Sequence, residues 1–301
     1  MISTSKVTEI FYLIDEFCKE YDSVIDKNSI SIKDGIKKRN RKFVMSDSEI
    51  MTILVLFHLK SYRNLKAFYL EYVCEHMRDD FPKVLSYNRF VERQRGVVQP
   101  LGVFMQIYCK GECTGISFLD STSIKVCHVK REKQNRVFEG FAEKGKGTMG
   151  WFYGFKLHII INDRGEIVDF VITKGNVDDR KPLKDKSFHK KVFGKIYADR
   201  GYIGKDLFDM LFVDGIHLVT KLRKNMKKKS MEFYDKVLLR KRSVIETVND
   251  VLKNQCYVEH TRHRSFDNFI VNMVAGLIAY SFLPTKPSIK IHQMLPNMGV
   301  A

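Results

Sequence analysis

The sequence predicts a helical N-terminal region followed by an α/β domain whose sheet mixes antiparallel and parallel strands. Residues from about 5 to 110 have helical periodicity, and a Ser46-Asp-Ser-Glu49 capping box precedes the apolar run IMTILVLFHL. Near Gly115 the chain changes to runs rich in Ile, Val, Ser and Thr, which are typical of strands. Helices alternate with the later strands, so we expect a sheet covered by helices.

Five strands are predicted after Gly115. The first three are ISFLDSTSIKV, FYGFKLHIIIND and EIVDFVITKG, and the turn Asn162-Asp-Arg-Gly165 joins the last two as a hairpin. Residues 130–150 are charged and contain glycine, so we expect a loop there. KIYADRGY and IHLVTKL are the fourth and fifth strands. An antiparallel meander followed by alternating strands and helices gives a mixed sheet.

Helices are predicted between and after the later strands. A short helical segment begins at about Asp178, with Pro182 near its start, and KDLFDMLFVDG forms the next helix. Two further helices are expected at about 236–254 and 266–283. From Pro284 onwards the chain holds three of its six prolines, so we expect an irregular tail.

The charge balance predicts a polyanionic partner. The 301 residues contain 52 Lys and Arg against 35 Asp and Glu, a net charge of +17. Basic groups near phosphates release condensed counterions and so favour nucleic acid. Ten bases and two acids lie in 221–242, and six bases and one acid lie in 33–42. The alternative for each run is a solvated charged face.

Other compositional signals predict a cytoplasmic protein. The N-terminus lacks the basic start and unbroken apolar stretch of a signal peptide, and the apolar run FIVNMVAGLIAYSFL is short for a membrane span. The six cysteines form no Cys-x-x-Cys pair, so free thiols in a reducing compartment are favoured. A zinc site at Cys109, Cys113 and His128 is the less favoured alternative.

Two aspartates lie on or at the end of predicted strands. Asp120 follows Ile116 and Phe118 at a period of two and therefore shares their face, where an ionised carboxylate needs a partner or a metal. Asp199 lies at the C-terminal end of its strand, just before Gly201, and ligand sites commonly lie off such strand ends. The alternative for Asp199 is a helix or turn cap.

A glutamate on the 236–254 helix completes a trio of acids. At 100° per residue, Arg242, Glu246, Asn249 and Lys253 share one stripe beside a broad apolar face. A surface helix with polar neighbours is the alternative. Two Asp and one Glu, without His or Cys, favour Mg²⁺ or Mn²⁺ over zinc, and paired divalent ions can promote phosphodiester hydrolysis.

These motifs carry a resemblance to a known family. Arg242, Glu246 and Lys253 match part of the signature around the last acid of bacterial DDE transposases, although Leu239 stands where the family has Tyr. Together with LDSTSI, GWFYGFKLHIIIN, ADRGYIG and IETVNDVLK, the chain resembles insertion-sequence transposases of the IS982 type. The resemblance implies an RNase H-like fold with a mixed five-stranded sheet, preceded by an all-helical N-terminal domain.

The resemblance also implies the roles of particular residues. Asp120, Asp199 and Glu246 are the expected catalytic residues and the ligands of two Mg²⁺ or Mn²⁺ ions. Arg242 and Lys253 are expected to hold phosphates near the cleaved bond. The full set predicted to bind DNA comprises Arg242, Lys253, Asn249, Lys221, Arg223, Lys224, Lys227, Lys228, Arg240 and Lys241.

The predicted organisation has three parts. Residues 1–112 form a helical domain for recognition of DNA ends and for oligomerisation, 113–284 form the catalytic domain, and 285–301 form an irregular tail. The predicted activity is cleavage at insertion-sequence ends followed by strand transfer. Its partners are double-stranded DNA, as terminal inverted repeats and target, and a second copy in the DNA complex. No membrane or small-molecule substrate is expected, and the predicted location is the nucleoid of the bacterial cytoplasm.

Several alternatives stay open at this point. Asp178 and Asp179 either contribute to the site or cap a helix start, which is favoured. For His158, packing or hydrogen bonding is favoured over a metal role. Trp151, the only tryptophan, either packs normally, which is favoured, or stacks on an extruded base. A host endonuclease on the same fold, or a catalytically inactive DNA-binding protein, are the alternative functions.

Overall fold

The computed structural model describes residues 3–28, 43–147, 150–221, 231–259 and 263–289. Contacts divide the chain into two compact units. The first combines Met1–Tyr108 with Asn254–Phe282, and the second combines Cys109–Lys253 with the segment that starts at Leu283. The predicted boundaries at 112/113 and 284/285 differ from this division in the placement of residues 254–282, and they stay a prediction about domains.

The first unit is helical over its described residues, as predicted. Residues Leu65–Ala67, Phe68–Val73 and Cys74–His76 form one run with a π-helical centre. The longer helices are α1 Thr4–Asn28, α2 Asp47–Leu59, α3 Tyr87–Gln94 and α4 Val98–Tyr108. The predicted capping box is present, because the Ser46 side chain accepts from the Glu49 N–H and the Glu49 carboxylate accepts from the Ser46 N–H.

The second unit contains a six-stranded sheet and the helices that cover it. Its strands are β1 Ile116–Cys127, β2 Glu143–Gly147, β3 Gly150–Asn162, β4 Ile167–Lys174, β5 Gly194–Ala198 and β6 Ile216–Thr220. Its helices are α5 Lys186–His189, α6 Lys205–Val213, α7 Phe233–Lys241 and α8 Ser243–Asn254.

The last described helix, α9 Phe266–Ser281, belongs to the first unit. It packs against α2 and α4 with a nearly continuous apolar surface. A helix that is apolar on most sides is typical of a buried position, so α9 is the central helix of this unit's core.

The sheet combines both strand directions, which confirms the predicted mixed α/β class. The strand order is β2-β3-β1-β5-β6, and β4 pairs with β3 on the edge that β2 also uses. The strand pairs β1–β3 and β3–β4 are antiparallel, whereas β1–β5 and β5–β6 are parallel. The predicted turn at 162–165 closes the β3–β4 hairpin, with the Gly165 N–H donating to the Asn162 carbonyl.

The prediction of five strands with a loop over 130–150 is wrong. Residues Glu143–Gly147 form β2, and 3₁₀ turns occupy Val129–Gln134 and Arg136–Phe138. The sequence EKGKG has no β-branched or aromatic residue, so its intrinsic strand preference is low. Pairing with the first residues of β3 supplies the order that the local sequence lacks.

Helices cover both faces of the sheet. Leu119, Ile160 and Ile196 point to one face and pack in a buried cluster with residues of α5 and α6, including Phe188 and Leu211. On the other face, the ring of Phe118 stacks on that of Tyr197 at 5.6 Å, and α7 packs against β5 and β6. Helix α8 lies against β1 on this second face, through the hydrogen bonds described below.

Candidate active site

Asp120 lies in the middle of β1, where one edge is open in the sense that no strand of the described residues pairs with it there. Strand β5 pairs with β1 only from Ile116 to Phe118, whereas on the other edge Asp120 still pairs with Ile159 of β3. Burial raises the pKa of the Asp120 carboxyl to about 6, against the opposing effect of the Arg242 guanidinium. The charges of Asp199 and Glu246 raise this pKa further, so all three predicted acids interact electrostatically.

The parallel register of β1 and β5, continued past its last pair, brings Asp199 level with Asp120. Ile116 faces Lys195 and Phe118 faces Tyr197, an offset of 79 residues (195 − 116), and the same offset takes Asp120 to Asp199. The Asp199 carboxylate also accepts a hydrogen bond of 2.7 Å from the Gly201 N–H, as the cap of a 3₁₀ turn. Asp199 therefore is a turn cap, as the alternative proposed, and also carries its charge to the open edge of β1.

Glu246 reaches the same region through Arg242. The Arg242 guanidinium donates to the Glu246 carboxylate at 2.6 Å and lies 3.8 Å from the nearer Asp120 oxygen. The Glu246 side chain is 57% exposed, whereas those of Arg242 and Asp120 are only 18% and 22% exposed. Arg242 is thus a mostly buried cation that neutralises one partly buried and one exposed acid.

The other members of the predicted helical stripe contact β1. The Asn249 amide donates to the second Asp120 oxygen at 3.1 Å, and the Lys253 ammonium donates to the Ser123 carbonyl at 2.6 Å. Asn249 is buried, with its own carbonyl oxygen buried and unpaired. These contacts fix α8 on β1 and orient Asp120, while binding of DNA by Asn249 and Lys253 stays a prediction.

The remaining predicted DNA-binding residues divide into two groups. Lys221, Arg240 and Lys241 are exposed, the last two at the end of α7. Residues Arg223, Lys224, Lys227 and Lys228 lie outside the described residues, as does the basic run 33–42. The exposed bases of α7 immediately precede Arg242, so positive charge continues from the surface into the site.

The less favoured site candidates have other partners. Asp178 accepts hydrogen bonds from the Arg180 N–H and guanidinium, which lower its pKa, and Asp179 forms an ion pair with Lys156 at 2.9 Å. His158 is buried and hydrogen bonds the Thr173 hydroxyl at 2.9 Å, as favoured from the sequence. The favoured packing of Trp151 is wrong, because its side chain is 60% exposed.

Two residues near the acids were not singled out from the sequence. Tyr202 is almost fully buried, and burial together with the charges of Asp179 and Asp120 raises its pKa well above the usual range. A Cβ atom on Gly201 would lie 2.9 Å from the nearer Asp199 oxygen, closer than such atoms approach one another. Both belong to the run ADRGY, so their position two and three residues after Asp199 could have indicated from the sequence that they lie near the acids.

The acids have the chemistry of a site for a hard divalent cation, but they are not arranged as one. Carboxylate oxygens are the preferred ligands of Mg²⁺ and Mn²⁺. Within the described residues, no group of three or more His, Cys, Asp or Glu side chains is close enough to hold a metal ion. Arg242 lies between Glu246 and Asp120, so a cation bound by both acids would take over contacts that the guanidinium now makes.

Divalent ions held by carboxylates can promote phosphodiester hydrolysis, and a basic surface favours a polyanion such as DNA. The family model described as "Transposase DDE domain" matches residues 110–266, slightly more than half of the chain. The chain belongs to the DDE transposase family. It is accordingly an enzyme that cleaves DNA strands and transfers them in DNA transposition.

Three solved structures of transposases are similar over most of the chain. The synaptic complex of piggyBac transposase with hairpin DNA has 12% identity, covers 92% of this chain and 73% of its own, and has a TM-score of 0.47. The Mos1 strand transfer complex has 12% identity, covers 88% and 84%, and has a TM-score of 0.25. The Mos1 paired-end complex with the left transposon end has 11% identity, covers 89% and 86%, and has a TM-score of 0.27. The identities are low, so the family assignment rests on the family match.

Two further findings concern curated relatives and membrane-spanning helices. No curated protein sequence matches it. Among the helices that the structure describes, none has the length and apolar character needed to cross a membrane.

Proposed function

We propose that this transposase is of the IS982 insertion-sequence type and that its second unit has an RNase H-like fold. The strand order and directions support this fold: leaving β2 aside, the order β4-β3-β1-β5-β6 has one antiparallel hairpin partner beside β1 and two parallel strands on the other side. LDSTSI, ADRGYIG and the Arg242–Glu246–Lys253 spacing support the finer family assignment.

Asp120, Asp199 and Glu246 are the proposed catalytic residues. The electrostatic effect of Asp199 and Glu246 on the Asp120 carboxyl, whose pKa both acids raise, supports this proposal. Their oxygens would hold two Mg²⁺ or Mn²⁺ ions, which supply activation of the attacking oxygen and stabilisation of the leaving oxygen. Asn249 holds the Asp120 carboxylate in place, and the Arg242 guanidinium neutralises Asp120 and Glu246 in this structure.

The remaining surfaces have proposed roles in binding DNA. Arg242 and Lys253 contact phosphates near the cleaved bond, and the bases of 221–241 extend this contact along the duplex. The domain formed by residues 1–112 recognises the terminal inverted repeats and supports a dimer in the DNA complex, while 113–284 carry out the chemistry. The proposed setting is a bacterial element acting at the nucleoid of its host.

The test is cleavage of DNA that carries the element's end in the presence of Mg²⁺. Asp120→Asn keeps the shape of the side chain and removes a ligand charge, so the cleavage rate should fall at least about a hundredfold, as for loss of a key electrostatic group. The matched control is Asp209→Asn, an exposed acid on α6, which should cleave at the wild-type rate. Equal rates for Asp120→Asn and wild type would refute the assignment of the acids.

A second measurement separates transposition from simple cutting. The cleaved end should be joined to a target duplex, and the joined product should be absent with Asp120→Asn, because one site performs both steps. Cleavage without joining would instead favour the host-endonuclease alternative. Binding of end DNA with neither reaction would favour a catalytically inactive protein.

A further inference from the structure

The β2–β3 hairpin carries an exposed aromatic residue that the catalytic site does not use. Trp151 is the only tryptophan and is 60% exposed, although the adjacent Phe152 and Tyr153 are buried. Lys146 lies directly opposite Trp151 in the strand register, with its ammonium 5.8 Å from the centre of the indole ring. The outer end of the hairpin therefore presents a flat ring and a cation together.

The surface around this hairpin is basic. Residues 129–147 contain six bases and three acids, all six bases being exposed: Lys130, Arg131, Lys133, Arg136, Lys144 and Lys146. Two of the acids are neutralised, Glu132 by Lys144 at 3.0 Å and Glu143 by Lys174 at 3.8 Å. The Tyr153 hydroxyl donates to the Phe138 carbonyl at 3.2 Å and ties this basic segment to β3. The charge fits a polyanion that runs along the hairpin.

Close backbone packing holds the base of the hairpin in place. A Cβ atom on Gly145 would lie 2.1 Å from the Gly175 carbonyl oxygen, and one on Gly175 would lie 2.6 Å from the Glu143 carbonyl oxygen. Only glycines permit strands β2 and β4 to meet this closely on the edge of β3. The backbone next to Lys146 is thus packed in place before any partner binds, which lowers the entropic cost of binding.

The strand register fixes the distance from the hairpin to the acids. Asp120 faces Ile159 on β3, and Trp151 precedes Ile159 by eight residues (159 − 151). At about 3.3 Å per residue, this is about 26 Å along the strand. One base pair rises about 3.4 Å, so for a duplex that runs parallel to β3 the same length corresponds to about eight base pairs.

We propose that the β2–β3 hairpin is a second contact for duplex DNA, about eight base pairs from the cleaved bond. Lys146 and the basic segment bind phosphates, and the Trp151 ring packs on the sugar–phosphate backbone at this position. The inference rests on the proposed catalytic role of Asp120, because that residue defines the point from which the distance is counted. It adds a DNA contact far from the acids, on a different part of the sheet.

The single tryptophan makes a direct test possible. The full-length wild-type protein is titrated, in EDTA so that no cleavage occurs, with a duplex extending about 20 base pairs to each side of the cleavage position. Quenching of tryptophan fluorescence by acrylamide should weaken at least about twofold at saturation. A duplex that extends only about four base pairs to each side should give no such protection. Unchanged quenching on the long duplex, with binding established by the anisotropy of labelled DNA, would overturn the proposal.

Variants supply the second arm of the test. Trp151→Ala with Lys146→Ala should weaken binding of the long duplex about tenfold, because it removes one phosphate-binding ammonium and the ring that packs on the backbone. Binding and Mg²⁺-dependent cleavage of the short duplex should stay at wild-type levels, so a failure of the hairpin contact differs from a failure of the catalytic assignment. The matched control is Phe193→Ala with Lys191→Ala. Both residues are exposed and lie just before β5, at the end of the sheet opposite the β2–β3 hairpin. Equal losses in both double variants would overturn the proposal.

Discussion

Arg242→Gln should destabilise the protein in the absence of a divalent cation and make it more responsive to Mg²⁺. The guanidinium is the cation that neutralises Asp120 and Glu246 in this structure. Glutamine keeps much of the side-chain length and removes the charge. Without the guanidinium, nothing at position 242 opposes the effects of burial, Asp199 and Glu246 on the Asp120 pKa, so the pKa rises and the carboxyl takes up a proton unless another cation binds.

The magnitude follows from the two ion pairs. At 3.8 Å, the Arg242–Asp120 attraction is about 4 kcal/mol for an effective dielectric constant of about 20. Removing one partner of a buried pair costs about 3–5 kcal/mol, and the partial exposure of both side chains places the expected loss near 3 kcal/mol. The pair with Glu246 adds little, because the Glu246 side chain is 57% exposed and its charge is screened by water.

Urea unfolding of the DNA-free protein in EDTA and in saturating Mg²⁺ measures this effect. A cation at a hundredfold excess over its dissociation constant stabilises by about 2.7 kcal/mol. In Arg242→Gln the cation displaces no guanidinium, so Mg²⁺ should bind this variant more tightly than the wild type and reduce the deficit of about 3 kcal/mol. Arg240→Gln, an exposed arginine one half-turn earlier, should match the wild type in both conditions. The reasoning fails if Arg242→Gln unfolds like the wild type in EDTA, or if Mg²⁺ stabilises both proteins equally.

Two further predictions concern the neighbours of the acids. Gly201→Ala should displace the Asp199 carboxylate, because its Cβ would lie 2.9 Å from an Asp199 oxygen. The rate of Mg²⁺-dependent cleavage should therefore fall at least about tenfold. The control is Gly102→Ala, whose Cβ meets no atom within 4 Å and which should leave the cleavage rate unchanged. For His158, burial lowers the pKa of the imidazole to about 4 from 6.5, so the unfolded chain binds more protons between these values. The buried neutral His158 therefore contributes up to about 3 kcal/mol to the free energy of unfolding above pH 6.5, and this contribution is lost as the pH falls towards 4. Urea unfolding at pH 7 and about pH 4.5 should show a smaller difference for His158→Gln than for the wild type, and an equal difference would contradict the assignment.

Local patterns predicted the elements that carry the acids. The period of two before Asp120 correctly placed it on the face of Phe118, and the 100° stripe correctly grouped Arg242 with Glu246, whereas Asn249 of the same stripe is buried and contacts Asp120. Both are short-range properties of a strand or a helix. The predicted catalytic roles themselves stay proposals.

Contacts between residues far apart in the sequence determine the features that local patterns did not predict. The adjacency of Asp120 and Asp199 depends on a parallel pairing between residues 79 positions apart (199 − 120), which no local pattern specifies. Strand β2 forms although its own residues disfavour it, because β3 provides a template. Helix α9 was predicted as a helix, but its apolar surface did not show that its partners are α2 and α4.

The end of β5 is the feature that creates the candidate site. If β5 continued beyond Ala198, its backbone would pair with β1 beside Asp120 and close that edge of the strand. Instead, the Asp199 carboxylate caps the following 3₁₀ turn at the Gly201 N–H and ends the strand at this point. The cap orients the carboxylate and leaves the edge of β1 next to Asp120 open. Capping and the proposed metal binding are therefore not competing roles for Asp199, because the turn that it caps is what places its charge beside Asp120.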